Sequence, residues 1–145
     1  MVRILSVLAL ALPLSVVTLA RGSSATDEAF DGTWIPTSAE LAGKPFPADI
    51  RKSMKLVIKD DKYTVTVGDK ADMGTVKLNP SAKPQEMDIT GTEGPNKGKT
   101  FLCIYELKGD TLRVCYDLGG KKRPTEFKTE AGTQLFLVEY KRQKQ

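Results

Sequence analysis

Residues 54–67 read MKLVIKDDKYTVTV, and apolar and polar residues alternate on both sides of the two central aspartates. Such alternation is typical of β-strands with one buried face, because successive side chains point to opposite sides of the sheet. Asp60-Asp61 predicts a tight turn, so the stretch predicts an antiparallel hairpin. The side chains expected to face inward are Met54, Leu56, Ile58, Tyr63, Val65 and Val67.

The same pattern recurs along the chain from residue 33 onward. Short alternating runs are separated by Gly, Pro, Asp and Lys, which is the spacing of an all-β sandwich or barrel. The predicted strands are 33–41, 54–59, 62–67, 72–78, 86–90, 100–107, 111–117 and 134–141, with one short helix at 47–53. Short turns favour antiparallel neighbours, and closure removes exposed edges. We therefore predict an all-β fold, an eight-stranded antiparallel up-and-down β-barrel with one short helix. A two-sheet sandwich is the alternative.

The beginning of the chain has a different composition. A positive charge precedes residues 4–19, which carry no charge, and small residues follow. This layout is typical of a secretory signal peptide. The apolar run is shorter than the roughly 20 residues that span a bilayer. We predict a signal peptide over residues 1–25, cleaved after Ala25 or alternatively after Ala20, and one domain over residues 26–145. An uncleaved anchor is the rival interpretation. The expected location is the periplasm or the extracellular space.

The composition argues against several kinds of catalytic site. The sequence contains no histidine, so the commonest metal ligand and any Ser-His-Asp or Cys-His arrangement are missing. Two cysteines are too few for a zinc site built from cysteine alone. Basic residues are not interleaved with aromatic residues, so nucleic-acid binding is not expected. We expect no enzymatic activity, no metal and no cofactor.

Cys103 and Cys115 lie on the two strands of the predicted hairpin 100–117. A turn of odd length at Lys108-Gly109-Asp110 would place both thiols on one face of the sheet. A disulfide is then one interpretation for an exported domain, although direct cross-strand disulfides are geometrically demanding. Two small apolar side chains are the other interpretation.

Three segments resemble a bacterial protein family. They are DITGTEGPNKGKT (88–100), IYELKGDTLRVCYD (104–117) and RPTEF (123–127), and they occur in the family's order. Together with Gly32-Thr33-Trp34, which resembles the Gly-x-Trp opening of lipocalin-like barrels, they are similar to one particular family. This is the lipocalin-like domain family of unknown function that is abundant in planctomycete bacteria. The resemblance implies an exported lipocalin-like barrel.

Trp34 is the only tryptophan of the chain. In lipocalin-like barrels this tryptophan packs across the closed end, so the resemblance implies a structural role for Gly32 and Trp34. Ligand stacking is the alternative for the tryptophan. Lipocalins also place an arginine near the last strand on this ring. Arg142 lies just past the last predicted strand and Arg123 lies in the loop before it, and the sequence does not choose between them.

The candidate ligand site consists of Tyr63, Val65, Leu102, Val114 and Tyr116, which are predicted to face the barrel interior. We expect a monomeric binding module for a small apolar ligand or an envelope partner protein, with no stable membrane span after cleavage. A filled barrel acting as a structural or interaction domain is the alternative, because bulky inward side chains leave little open volume. An enzyme is the third and least favoured hypothesis.

Overall fold

The computed structural model describes residues 29–144 and shows a closed antiparallel β-barrel. Its elements are β1 (Gly32–Leu41), β2 (Lys44–Pro45), α1 (Ala48–Lys52), β3 (Met54–Lys59), β4 (Lys62–Val67), β5 (Lys70–Asn79), β6 (Gln85–Glu93), β7 (Thr100–Lys108), β8 (Thr111–Asp117) and β9 (Leu135–Arg142). Strands β3 to β9 pair in succession, and β1 pairs with both β3 and β9. The predicted signal peptide lies outside the described residues.

The hydrogen bonds between β1 and β9 make the sheet continuous, so the predicted up-and-down barrel is confirmed and the sandwich is wrong. The two-residue strand β2 pairs only with the last two residues of β1, Glu40 and Leu41. The turn between β3 and β4 is as tight as predicted, since Asp60 and Asp61 both have positive φ angles, 51° and 64°. This left-handed geometry matches the twist of a two-residue hairpin.

Strands β5 and β6 are longer than predicted. The extra length pairs Gly74 with Gly91, and an irregularity in the register follows immediately between Met73 and Gly74. Glycine provides no apolar side chain, so alternation in the sequence fades where these strands continue. The helix is shorter than predicted, and it packs beside β1.

Alternate residues of each strand fill the barrel with apolar side chains. The buried cluster is Phe30, Trp34, Ala39, Leu56, Ile58, Tyr63, Val76, Met87, Phe101, Cys103, Tyr105, Leu112, Val114, Tyr116, Val138 and Tyr140. Burial of this apolar surface is the main favourable contribution to folding. The interior therefore combines aliphatic side chains with several aromatic ones.

Trp34 closes one end of the barrel, which we call the closed end. Its side chain is fully buried, and its indole N–H donates to the carbonyl oxygen of Phe30 at 3.0 Å. The guanidinium of Arg142 lies 4.3 Å from the centre of the tryptophan ring. Arg142 also donates hydrogen bonds to the carbonyl oxygens of Ala29 and Asp31. Of the two arginines that the sequence left open, Arg142 is therefore the one that packs on the tryptophan ring.

Gly32 is adapted to this arrangement. Its φ angle is +147°, a conformation that favours glycine, and a Cβ atom there would lie 2.9 Å from Nη1 of Arg142. The absence of a side chain at Gly32 thus leaves room for the arginine.

Arg123 has a different role in the loop of residues 118–134, which we call the covering loop. It donates to the carbonyl oxygen of Cys103 at 2.8 Å and forms an ion pair with Asp88 at 2.6 Å. These contacts hold the covering loop against the outer face of the sheet. Cys115 is buried beneath the loop, and its sulfur lies 3.7 Å from the carbonyl oxygen of Lys128.

The two cysteines do not share a face, so that prediction is wrong. Only Gly109 and Asp110 separate Lys108 from Thr111, and a turn of even length shifts the register by one residue. Cys103 therefore pairs with Tyr116 and points inward, while Cys115 pairs with Ile104 and points outward. Both thiols are free and buried.

We expect both cysteines to be reduced in the purified protein, because side chains on opposite faces cannot form a disulfide without backbone movement. Burial raises the pKa of both thiols, which slows their reaction in the folded state. Alkylation in denaturant, followed by mass spectrometry, should add two groups whether or not the sample is first reduced. Alkylation that requires prior reduction would contradict the observed register.

Replacing Arg142 by methionine should lower the free energy of unfolding by about 2 kcal/mol, because two backbone acceptors and the ring contact lose their partner. Lys141→Met is the matched control, since Lys141 is exposed, and its effect should stay within about 0.5 kcal/mol. Urea unfolding followed by the fluorescence of Trp34 measures both variants. Equal stability of the two variants would show that Arg142 does not stabilise the closed end.

Candidate functional site

An apolar cavity of about 160 Å³ lies inside the barrel. It reaches the surface at the end opposite Trp34, where Val67 and Leu118 of its lining are 37% and 38% exposed. We call this opening the mouth. The lining comes from all the long strands except β1. The cavity therefore exists only when the sheet has closed into a barrel.

Four of the predicted site residues, Tyr63, Val65, Val114 and Tyr116, line this cavity. Leu102 does not, and its predicted inward orientation is wrong. It pairs with Asp117 across the β7–β8 hairpin, while the neighbouring Cys103 faces inward. Strand β7 has apolar residues on both faces because the covering loop buries its outer side. Alternation therefore could not identify the inward face of this strand.

Two tyrosine hydroxyls meet deep in the barrel. Tyr116 and Tyr140 share a hydrogen bond of 2.8 Å between their hydroxyl oxygens. Burial raises the pKa of both groups well above the usual value for tyrosine. Both therefore remain protonated at neutral pH, and each satisfies the polar group of the other within an apolar region.

A carboxylate lies at the mouth. Asp72 is only 7% exposed, and its Oδ2 accepts a hydrogen bond from the hydroxyl of Tyr63 at 2.9 Å. Asn96, in the loop between β6 and β7, donates to Asp72 from its backbone N–H at 3.0 Å and from its side-chain amide at 3.1 Å. Burial, and next the hydrogen bond to Asp72, raise the pKa of Tyr63. The three residues form a hydrogen-bonded group, which we call the mouth triad.

Sequence reasoning missed Asp72 and Asn96 as part of the site. An aspartate near a turn is usually explained by backbone preferences, and Asp72 follows the β4–β5 turn closely. One signal was present, because Asp72 falls in phase with Gly74, Val76 and Leu78 on the inward face. Nothing in the sequence showed that Asn96 would reach Asp72, since the two are 24 positions apart.

Two glycines make space for the mouth triad. A Cβ atom on Gly74 would lie 2.6 Å from Cε1 of Tyr63 and 2.0 Å from the carbonyl oxygen of Thr90. A Cβ atom on Gly91 would lie 2.1 Å from the carbonyl oxygen of Asn96. Both distances to backbone oxygen are far below van der Waals contact. Small residues at these positions thus allow the tyrosine ring and the Asn96 loop to approach the mouth.

No protein-family model, curated protein or solved structure matches the chain. Within residues 29–144, no group of three Cys, Asp or Glu side chains is arranged to hold a metal ion. The same range contains no helix that is long and apolar enough to cross a membrane. Membership of the lipocalin-like family stays a prediction from the sequence, and the geometry of the cavity is the basis for a functional proposal.

Gly74→Ala should destabilise the protein by about 2 kcal/mol or more, because the added methyl group meets backbone and ring atoms that cannot both move away. Gly109→Ala is the control: its φ is +56° and no atom lies within 4 Å of its Cβ position, so only about 1 kcal/mol of backbone strain is expected. Urea midpoints measure both effects. A smaller loss for Gly74→Ala than for Gly109→Ala would contradict the close packing at the mouth.

Proposed function

We propose that the protein is an exported, lipocalin-like binding module that takes a small apolar ligand into its barrel. The observation that supports this most directly is the apolar cavity that opens at the mouth. Export is supported by the composition of residues 1–25, and the binding role by the residues that line the cavity.

The size of the cavity limits the ligand. An engineered apolar cavity of about 150 Å³ in another protein stays dry and binds benzene. A cavity of about 160 Å³ therefore accommodates a group of benzene size. Drug-sized ligands occupy pockets of roughly 300 Å³ or more, so a larger ligand would extend through the mouth into solvent.

The same observation favours a binding module over a filled barrel. In a filled barrel of eight strands, inward side chains occupy the whole interior. Here the inward side chains of β3 to β9 leave an apolar space of about 160 Å³ between them, and the inward Asp72 is part of its lining. A purely structural core would fill this space.

We expect 2-phenylethanol to bind in the cavity, since its ring matches the available volume and its hydroxyl provides solubility. Titration followed by ¹H–¹⁵N NMR should shift the amide signals of residues that line the cavity and leave those of α1, which contributes no residue to the lining, unchanged. Native mass spectrometry before and after denaturation should reveal any apolar molecule that copurifies. The absence of any shift at saturating 2-phenylethanol would contradict the proposal.

Val65→Phe should weaken the binding of 2-phenylethanol by at least roughly tenfold, because the new ring occupies the cavity. Thr66→Phe is the matched control, since the next residue on β4 faces outward and does not line the cavity. Urea midpoints establish that both variants fold. If both variants bind equally well, the ligand does not occupy the barrel interior.

A further inference from the structure

We propose that the cavity selects apolar ligands that carry a positive charge, and that Asp72 is the group that binds the cation. This inference rests on the proposed function and names the class of ligand. Among the described residues that line the cavity, Asp72 is the only charged one. The remaining lining consists of apolar side chains, three tyrosines and Asn96.

Asp72 has hydrogen-bond donors but no counter-charge. No lysine or arginine in residues 29–144 forms an ion pair with it. Its partners are the hydroxyl of Tyr63 and two N–H groups of Asn96, all of them neutral. A carboxylate that is largely removed from water is costly unless an opposite charge accompanies it. A ligand cation would supply that charge.

The carboxylate also has an acceptor position left for the ligand. The two oxygens of an ionised carboxylate provide about four lone-pair sites. Tyr63 donates one hydrogen bond to the carboxylate of Asp72 and Asn96 donates two, so three of these sites are occupied. An ammonium group can therefore donate to Asp72 without displacing Tyr63 or Asn96.

The position of Asp72 fits an amine with an apolar group. The carboxylate lines the same cavity as Val76, Ile89 and Phe101, so one ligand can touch both the charge and the apolar lining. Charge-assisted hydrogen bonds are roughly twice as strong as neutral ones. The expected ligand is a small primary amine joined to a hydrocarbon group of about benzene size.

Exposed lysines near the mouth would repel a positively charged ligand and so weaken its binding. Lys70 begins β5 and Lys97 follows Asn96 in the same loop, and both side chains are exposed. Interactions of exposed charges are largely screened beyond about 8 Å at physiological ionic strength. A direct contact with the buried Asp72 is screened much less, so we expect it to decide the selectivity.

The test compares three ligands that share a phenyl group and a two-carbon linker: 2-phenylethylamine, 2-phenylethanol and 3-phenylpropionate. Isothermal titration calorimetry at pH 7 should show the amine binding at least roughly tenfold more tightly than the alcohol. The carboxylate should bind most weakly of the three. Equal binding of the amine and the alcohol would overturn the assignment of Asp72 while leaving the proposed function intact.

Asp72→Asn should remove the preference for the amine, since it keeps the size of the side chain and removes its charge. The amine should lose at least roughly tenfold more affinity than 2-phenylethanol does, because only the amine loses a charge-assisted hydrogen bond. Asp69→Asn is the matched control: it removes an equal charge from an exposed position in the adjacent turn and should preserve the preference. Loss of the preference in Asp69→Asn but not in Asp72→Asn would contradict the proposal.

A salt titration on the unmodified protein decides the question even if Asp72→Asn does not fold. The amine should remain the tightest ligand at about 0.5 M NaCl, where interactions between exposed charges are screened. A preference that disappears at this salt concentration would place the cation on the surface and overturn the proposal. If none of the three ligands binds under any condition, both this inference and the proposed function are wrong.

Discussion

The rest of the structure depends on the double pairing of β1. Its first residues pair with β3 and most of its length pairs with β9, so the sheet closes without a free edge between its first and last long strands. Trp34 lies where the two pairings overlap, opposite Leu56 on one side and Arg142 on the other. The tryptophan therefore fills the closed end, and Arg142 is placed over its ring by the register of β9. Beyond this point β1 leaves β3, and Arg51 of the short helix donates to the carbonyl oxygen of Pro36.

The two ends of the barrel differ because of this arrangement. At the closed end, Trp34 is fully buried and Arg142 covers its ring, and neither residue lines the cavity. At the mouth, Gly74 and Gly91 make room for the Tyr63 ring and the Asn96 loop, and the cavity opens to solvent near Val67 and Leu118. The polar groups there are satisfied, since Asp72 accepts hydrogen bonds from Tyr63 and Asn96. The apolar cavity thus has one negatively charged residue, Asp72, in its lining at the mouth. This combination is the basis for the proposed preference for apolar ligands with a positive charge.

Errors in the sequence interpretation have a common physical origin. Alternation predicts an inward face only where the other face of the strand is in water. The covering loop buries the outer side of β7, so alternation places Leu102 on the inward face of this strand, where the structure has Cys103. Register across a hairpin depends on the number of residues in its turn, and one residue more or fewer exchanges the faces. The turn at Gly109-Asp110 therefore decided the positions of both thiols.

The sequence by itself determined the all-β class, most strand positions and the inward location of Tyr63, Val65, Val114 and Tyr116, because these depend on local alternation and turn chemistry. Only the tertiary structure decided that Arg142 covers Trp34, that Asn96 reaches Asp72, and that a cavity remains between them. These contacts join residues far apart in the chain, and no local pattern encodes the distance between two strands once the sheet has closed. The volume of the cavity is set in the same way, by the side chains of many strands that meet only in the folded barrel.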